Sequence, residues 1–277
     1  MRVIYIAGMS HSGSTLLNLM LHAHPEIISV GELIDVNRRT HEGAKRKKYS
    51  SCACGAPSIF ECDFWSRVNA RTIESSNKSL ANFDILKDRT LDDRQADSAV
   101  VLRAIADVSG KNVIVDSSKR PGRLSYLLKL KGLDVYPIHL IRSPHGQVSS
   151  LYRKKGPLLR HIYSYARIHG QIRRMVKDVP HSVVQYEDLV RDPERSLRCI
   201  LEPLGLRFDP CQLRWAEHAH HTLGGNNLRW QPSDLVLDER WKQSLNRLQQ
   251  TIISLCLPTS GGRRLEPTWP ASTDRLA

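Results

Sequence analysis

The sequence predicts an α/β fold in which helices cover both faces of a central parallel β-sheet, giving a three-layer sandwich. Short apolar runs rich in β-branched residues alternate along the chain with longer stretches of helical periodicity. These runs lie at residues 3–7, 112–116, 135–141 and 183–186. Such alternation is typical of strand–helix–strand units, whose strands are parallel and bind ligands at their carboxyl ends. With 277 residues, the chain is long enough to bury a large core.

The first predicted strand leads into a glycine-containing loop and then into a helix. Residues 3–7 are all apolar, residues 8–15 are mostly small, and the leucine-rich helix that follows ends at His24-Pro25. A loop of this kind directs backbone N–H groups at the positive end of a helix dipole, which makes a site for a tetrahedral anion. The spacing Gly8-x4-Gly13-Ser14-Thr15 matches a Walker A loop, except that Ser14 stands in place of the lysine.

The other elements follow in order along the chain. Helical periodicity over residues 92–108 precedes the second strand, and Pro121 begins the next helix at the first-turn position that proline favours. Pro137 lies within the third strand, which predicts a place near a sheet edge or a bulge because proline cannot donate to the ladder. Later helices are predicted over residues 158–179, 193–204 and 238–255.

We expect a single domain over residues 1–257. Within it, about 38–108 would form a mostly helical cap insertion. The strongly basic run at 38–48 predicts a solvated loop. Residues 258–277 are rich in glycine, proline and arginine, which predicts a disordered tail.

Several motifs together resemble those of sulfotransferases that use 3′-phosphoadenosine 5′-phosphosulfate (PAPS), especially the bacterial and tyrosylprotein enzymes. These motifs are His11-Ser12-Gly13-Ser14-Thr15, His24-Pro25, Gly31-Glu32, Asp116-Ser117-Ser118-Lys119 and Arg142-x-Pro144-x5-Ser150. The resemblance covers most of residues 3–255. It implies the P-loop-like sulfotransferase fold and transfer of a sulfuryl group to an acceptor hydroxyl or amine on a small molecule, glycan, lipid or peptide.

The resemblance also implies which residues bind the donor. The 5′-phosphosulfate would be held by the loop residues Ser10, His11, Ser12, Gly13, Ser14 and Thr15. The 3′-phosphate would be held by Arg142 and Ser150, and an arginine fork suits a phosphate dianion. The glycine segment at 224–229 resembles the loop that closes over the nucleotide in this family, which makes Arg229 a further candidate phosphate ligand.

Glu32, Lys119 and His11 are the predicted catalytic residues. The family often carries, at the position of Glu32, a glutamate that removes the acceptor's proton. His11 departs from the family, which usually has arginine or lysine there, and an imidazole near pKa 6.5 is mostly neutral at pH 7. Because the bridging oxygen of the donor gains negative charge during transfer, we expect Lys119 to supply the cation. Sulfuryl transfer, by analogy with phosphoryl transfer, rests on positioning and electrostatics, and we expect no metal.

Cysteines and histidines cluster at two places in the sequence. Cys52, Cys54 and Cys62 form a C-x-C-G…C-x-F-W arrangement that resembles an insertion in bacterial sulfotransferases. A fourth ligand and the usual C-x2-C spacing of zinc sites are both missing, so packing thiols or a local disulfide are expected. The histidines near residues 218–221 have no paired second shell in the sequence and are not assigned to a metal.

The charge balance favours an anionic partner. The chain has 41 lysines and arginines against 28 acidic residues, a net charge of +13. This charge suits a polyanionic cofactor, an acidic acceptor, a nucleic acid or an anionic membrane surface. No apolar run approaches the roughly 20 residues of a membrane span, and no signal-peptide pattern is present, so we expect a cytoplasmic protein.

Two other functions stay open at this point. A P-loop kinase is suggested by Asp116, which closes an apolar strand as a magnesium-binding carboxylate does, although the missing loop lysine speaks against it. A basic RNA-binding protein is suggested by the charge alone. Because the sequence has no recognised RNA-binding motif or aromatic stacking platform, we expect no nucleic-acid partner.

Overall fold

The computed structural model describes residues 1–36, 51–83, 91–154, 156–231 and 234–257. Five strands lie in these ranges: β1 (Arg2–Gly8), β2 (Ile27–Gly31), β3 (Val113–Lys119), β4 (Asp134–Ile141) and β5 (Ser182–Gln185). They form one sheet in the order β2-β3-β1-β4-β5, and every neighbouring pair is parallel. Together with the helices that flank it, this sheet confirms the predicted α/β fold.

Helices connect and cover the strands. They are α1 (Ser14–His22), α2 (Asp63–Ser76), α3 (Leu91–Ser109), α4 (Pro121–Leu128), α5 (Pro144–Tyr152), α6 (Leu158–Val176), α7 (Tyr186–Arg191), α8 (Pro193–Leu201), α9 (Trp241–Ser244) and α10 (Arg247–Cys256). Short 3-10 turns lie at Leu33–Asp35, Leu80–Asn82, Glu202–Leu204, Pro210–Glu217 and Asn227–Arg229.

The central strand, β1, lies between β3 and β4 and is covered on both faces. Val3 and Tyr5 belong to the hydrophobic cluster on one face of the sheet, whereas Ile4 and Ile6 belong to the cluster on the other face. Each of these side chains is fully buried. A strand buried on both faces needs an apolar residue at every position, which explains the unbroken apolar run in the sequence. The loop after β1 therefore opens at the middle of the sheet, where the strand order reverses.

Two expectations about single elements are resolved by the structure. Pro137 pairs with Tyr5 of β1, and the ladder between β4 and β5 begins one residue later, at Ile138. The proline thus lies at a locally uncovered edge, as predicted. The last helix, predicted over residues 238–255, is instead two helices. Leu245 has extended backbone, and Asn246 caps α10 in a reciprocal capping box with Gln249.

The helices of the predicted insertion share a core with the sheet. Trp65 and Val68 of α2 and Ile105 of α3 are fully buried in the same cluster as Val3 and Val30. The boundaries of an insertion over 38–108 stay a prediction, since part of the segment lies outside the described residues. The predicted disordered tail at 258–277 lies outside them as well. In the described part of the chain, none of the helices has both the length and the apolar character needed to span a membrane.

Candidate active site

The loop between β1 and α1 is shaped by two residues with left-handed backbone. His11 has a φ of 69° and Gly13 has a φ of 92°. A Cβ atom at position 13 would lie 2.3 Å from Cδ2 of Tyr186. Both the positive φ and this clash therefore disfavour any residue larger than glycine at position 13. Because α1 begins at the next residue, Ser14, the N–H groups of its first turn face the loop.

A glycine-to-alanine pair tests this packing. We expect Gly13→Ala to lower the free energy of unfolding by about 2–4 kcal/mol, because it adds a clash with Tyr186 to the strain of a positive φ. Gly132→Ala is the matched control, since Gly132 has a φ of 76° and a Cβ there would meet no atom within 4 Å. That control should lose only about 1–2 kcal/mol. Urea denaturation measures both, and equal losses would show that the Tyr186 contact adds nothing.

Arg142 directly follows β4 and is held against the loop by several partners. Its Nη1 donates to the backbone oxygen of His11 at 3.1 Å, and its Nη2 donates to the backbone oxygen of Asp238 at 3.0 Å. The Asp238 carboxylate lies 3.1 Å from Nη2, and the guanidinium carbon lies 4.8 Å from the centre of the Tyr186 ring. The side chain is 7% exposed. The guanidinium is therefore fixed beside the loop that the sequence predicts to bind an anion.

A cavity of about 280 Å³ opens beside this loop. His11, Gly13, Arg142 and Ser150 all line it, so the structure brings the two predicted halves of the donor site to one place. Ser150 comes from α5, which Pro144 begins and which the Ser143 hydroxyl caps by accepting a hydrogen bond from the N–H of Gly146.

Three charged residues that line this cavity were not predicted from the sequence: Asp234, Asp238 and Arg240. Arg240 donates to both carboxylate oxygens of Asp238 at 2.7 Å. Hydrogen bonds from Arg240, and then from Arg142, hold the pKa of the Asp238 carboxyl below its usual range. The carboxylate is thus ionised, and it forms ion pairs with both Arg142 and Arg240 at the cavity. No motif marks Asp238, because it meets Arg142 only through the fold.

Glu32 and Lys119 form an ion pair at the ends of β2 and β3. The Lys119 Nζ donates to Glu32 Oε1 at 2.7 Å and to the backbone oxygen of Ser117 at 3.2 Å. The side chains are 13% (Lys119) and 22% (Glu32) exposed. Lys119 has a φ of 67°, a backbone conformation that is unfavourable for a residue with a Cβ atom and is often found at functional sites. Two of the three predicted catalytic residues are therefore in direct contact.

The segment after Leu223 joins this ion pair to the loop. The N–H of Gly225 donates to Glu32 Oε1 at 3.1 Å, and the next N–H, of Asn226, donates to Thr15 Oγ1 at 3.2 Å. Two consecutive peptide groups thus bind the Glu32 carboxylate and the first turn of α1. This arrangement confines Glu32, Lys119 and the loop to one region of the protein.

His11, the third predicted catalytic residue, is neutral at physiological pH. Burial, with smaller contributions from Lys154, Arg142 and Lys119, lowers the pKa of its imidazole to about 4. A ring in this state has no positive charge to place beside a leaving oxygen. That the cation comes from another residue, Lys119, stays a prediction.

A model described as the sulfotransferase family matches residues 3–210. The chain belongs to the sulfotransferase family. Curated protein sequences give no match to it.

Two solved structures show the same fold. One is the sulfotransferase domain of the olefin synthase of Synechococcus PCC 7002, which is 20% identical with a TM-score of 0.59, over 92% of this chain and 94% of that one. The other is the sulfotransferase domain from the curacin biosynthetic pathway, 16% identical with a TM-score of 0.54, over 91% and 95% of the two chains. The chain is a sulfotransferase enzyme with an α/β fold shared across nearly the whole length of these domains.

The remaining residues that the sequence predicts for the donor site are positioned in different ways. The backbone oxygen of Ser10 accepts a hydrogen bond from Gln147 at 3.0 Å. Ser12 is fully buried, and its hydroxyl has no hydrogen-bond partner among the residues that the structure describes. Ser14 and Thr15 are buried in the first turn of α1. The loop is therefore held through its backbone at Ser10, whereas the buried hydroxyl of Ser12 makes no hydrogen bond within the described part of the chain.

Arg229 does not line the cavity. Its guanidinium carbon lies 3.8 Å from the centre of the Trp230 ring, and Nη1 donates to the backbone oxygen of Thr222 at 3.4 Å. The side chain is buried among these groups. Its predicted role as a phosphate ligand stays a prediction, whereas Arg240 is a second arginine that lines the cavity.

Asp116 of the sulfotransferase is held in an ion pair with Arg123. It is fully buried, and its Oδ2 accepts a hydrogen bond from Arg123 Nε at 2.6 Å within a fully buried ion pair. Its other oxygen accepts hydrogen bonds from the N–H and the hydroxyl of Ser118. The carboxylate is thus used to hold the start of α4 against β3, and the feature that favoured a kinase has a structural explanation.

A buried histidine pair connects the core to the loop. His139 of β4 and His169 of α6 lie 2.9 Å apart between ring nitrogens, and the His169 ring also contacts the Gln147 side chain, which donates to Ser10. Burial lowers the pKa of both imidazoles, that of His169 to about 4. We infer that this neutral network fixes the first residues of the loop.

Proposed function

We propose that the enzyme transfers a sulfuryl group from PAPS to an acceptor hydroxyl or amine and releases 3′,5′-adenosine bisphosphate. The observation that carries the proposal is that the β1–α1 loop, Arg142 and Ser150 surround one cavity. The loop offers backbone N–H groups to one anionic group, and Arg142 offers a planar fork to a second. Such a pair suits a ligand that bears a phosphate at the 3′ position of a ribose and a phosphosulfate at the 5′ position.

The site also fits the donor in its detailed chemistry. Gly13 lies in the turn of the loop, where a Cβ atom would meet Tyr186, and the cations that act on His11 include Lys154, Arg142 and Lys119. Positive charge close to the loop favours an anionic ligand there. The net charge of +13 has the same sign.

The proposed mechanism assigns the proton to Glu32 and the leaving charge to Lys119. As Glu32 takes the acceptor's proton, the acceptor oxygen or nitrogen forms a bond to sulfur and the bridging S–O bond of the donor breaks. Lys119, with its flexible stem, stabilises the negative charge that develops on the bridging oxygen. The loop N–H groups hold the phosphate that leaves with the adenosine. Positioning and charge stabilisation thus account for the reaction, as in phosphoryl transfer.

Arg142→Ala tests the 3′-phosphate site. We expect it to weaken the binding of 3′,5′-adenosine bisphosphate about 10- to 100-fold, since a charge-assisted arginine–phosphate bond is worth about 1.5–3 kcal/mol. Binding of adenosine 5′-phosphate, which lacks the 3′-phosphate, should change little. Titration calorimetry without magnesium measures both ligands. Arg214→Ala, an exposed arginine, is the control for the loss of one positive charge. Equal weakening for both ligands would place the 3′-phosphate elsewhere.

Transfer itself is tested with donor that carries labelled sulfur. The enzyme is incubated with this donor and a panel of glycan, phenol, peptide and lipid acceptors, and labelled products are separated from the donor. We expect label in one class of acceptor. If no acceptor is labelled and the bisphosphate does not bind, the proposed donor is wrong.

A further inference from the structure

Three cysteines and one histidine meet at a place separate from the cavity. The ligand atoms of Cys52, Cys54, Cys62 and His221 all lie within 4.8 Å of one another. The Sγ atoms of Cys54 and Cys62 are 3.7 Å apart, and Cys62 Sγ is 3.2 Å from Nδ1 of His221. All three cysteines are free thiols. The fourth ligand that the local sequence lacks therefore comes from a residue 159 positions after Cys62.

We propose that Cys52, Cys54, Cys62 and His221 bind one zinc ion in a closed tetrahedral site. With Zn–S distances of about 2.3 Å and Zn–N distances of about 2.0 Å, the ligand atoms of such a site lie about 3.5–3.8 Å apart. The distance of 3.7 Å between Cys54 Sγ and Cys62 Sγ lies in this range, and that of 3.2 Å between Cys62 Sγ and His221 Nδ1 lies slightly below it. Thiolate and imidazole ligands select zinc over magnesium or calcium, and four protein ligands leave no open position for catalysis. The site is therefore structural.

The residues around the cluster hold its ligands in place. The N–H of Cys52 donates to the backbone oxygen of Ala56, and the N–H of Gly55 donates to the backbone oxygen of Cys52, so the first two cysteines lie on a tight turn. The His221 ring stacks on Phe64 with ring centres 5.4 Å apart, and Trp65 Nε1 donates to the backbone oxygen of His221 at 2.7 Å. The C-x-F-W motif thus supplies one ligand and two residues that orient another.

A disulfide or simple packing thiols explain the cluster less well. A disulfide would use two sulfur atoms and leave one thiol beside the imidazole. A packing thiol would be buried, whereas Cys54 is exposed although its sulfur faces Cys62. An exposed cysteine beside two buried ones is expected at the outer corner of a metal site.

The zinc ion would anchor the segment that binds Glu32. The N–H of Ala53 donates to the backbone oxygen of Thr222, directly after His221. The next residue, Leu223, pairs with Val30 and Glu32 through its backbone, and Gly225 then donates to the Glu32 carboxylate. The metal would thus fix the start of the chain segment that ends at the active site. This inference does not depend on the identity of the donor or the acceptor.

Metal analysis of the full chain tests the proposal. Protein purified under reducing conditions, without chelator and without a metal-binding tag, should contain one zinc ion per chain by mass spectrometry of the elements. A double variant, Cys54→Ser with His221→Ala, should contain at least about tenfold less, because half of the ligands are gone. The matched control, Cys256→Ser with His218→Ala, should keep its zinc. Unaltered protein that contains no zinc, or iron in place of zinc, would overturn the proposal.

Cysteine labelling gives a second test that needs no variant. Cys54 and Cys256 are both exposed, so iodoacetamide should modify them at similar rates if Cys54 binds no metal. With zinc bound, Cys256 should react and Cys54 should be protected. After treatment with a chelator, labelling of Cys54 should rise at least about tenfold, because a coordinated thiolate becomes available. Mass spectrometry of peptides locates the label. Rapid labelling of Cys54 before chelation, or a disulfide among the three cysteines of the native protein, would contradict the site.

Discussion

Glu32→Gln should lower turnover about 10²- to 10⁴-fold while leaving the affinity for 3′,5′-adenosine bisphosphate nearly unchanged. Glutamine has the shape of glutamate and keeps an oxygen that can accept the hydrogen bonds from Lys119 and Gly225. It cannot accept a proton from the acceptor. The change therefore removes the proposed base and preserves the contacts that join Glu32 to β3 and to the glycine segment. Turnover is measured with labelled donor and affinity by calorimetry.

The control for this prediction is Glu217→Gln, which alters an exposed carboxylate on the Pro210–Glu217 turn. It should leave turnover and affinity unchanged. If Glu32→Gln lowers affinity as much as turnover, Glu32 is a structural or donor-binding group. The exposure of Glu32 is low but not zero, so an acceptor hydroxyl can approach it from the solvent side.

Local sequence was sufficient to predict the elements of the proposed donor site. The strand, the loop and the first turn of α1 are consecutive, and Arg142 and Ser150 are separated by less than three turns of one helix and its cap. Their geometry follows from local rules on strands, glycine and helix starts. Strand β2 was missed because it has five residues and lies close to the His24-Pro25 turn, where no periodicity can develop.

Contacts between distant segments could not be predicted in this way. The hydrogen bond from Gly225 to Glu32 joins residues 193 positions apart, and that from Arg142 to Asp238 joins residues 96 positions apart. The fourth ligand of the cysteine cluster is a similar case. The left-handed backbone of Lys119 could not be predicted from the sequence either, because a lysine gives no local signal for a positive φ. Such a conformation is maintained by tertiary contacts, here by the pairing of Lys119 with Glu32.

Lys119→Ala should lower turnover about 10²- to 10³-fold, a larger loss than that of His11→Ala. The reason is that the leaving oxygen needs a positive charge. Burial holds the pKa of His11 at about 4, so its imidazole is neutral at pH 7 and offers one hydrogen bond at most. Lys119 has three N–H donors, of which Glu32 and Ser117 account for two among the described contacts. His11→Arg should be tolerated or should raise turnover.

The loss in Lys119→Ala has two explanations, and the pH dependence of turnover separates them. Lys119 is also the partner of Glu32, and a carboxylate that loses a neighbouring cation has a raised pKa. If Lys119 acted only by keeping Glu32 ionised, the variant's turnover would recover at alkaline pH, where the carboxylate is deprotonated without help. If Lys119 stabilises the leaving oxygen, the deficit persists at every pH at which the unaltered enzyme is active. We expect a persistent deficit. Recovery at alkaline pH, or a greater loss in His11→Ala than in Lys119→Ala, would show that the leaving charge is stabilised by another group.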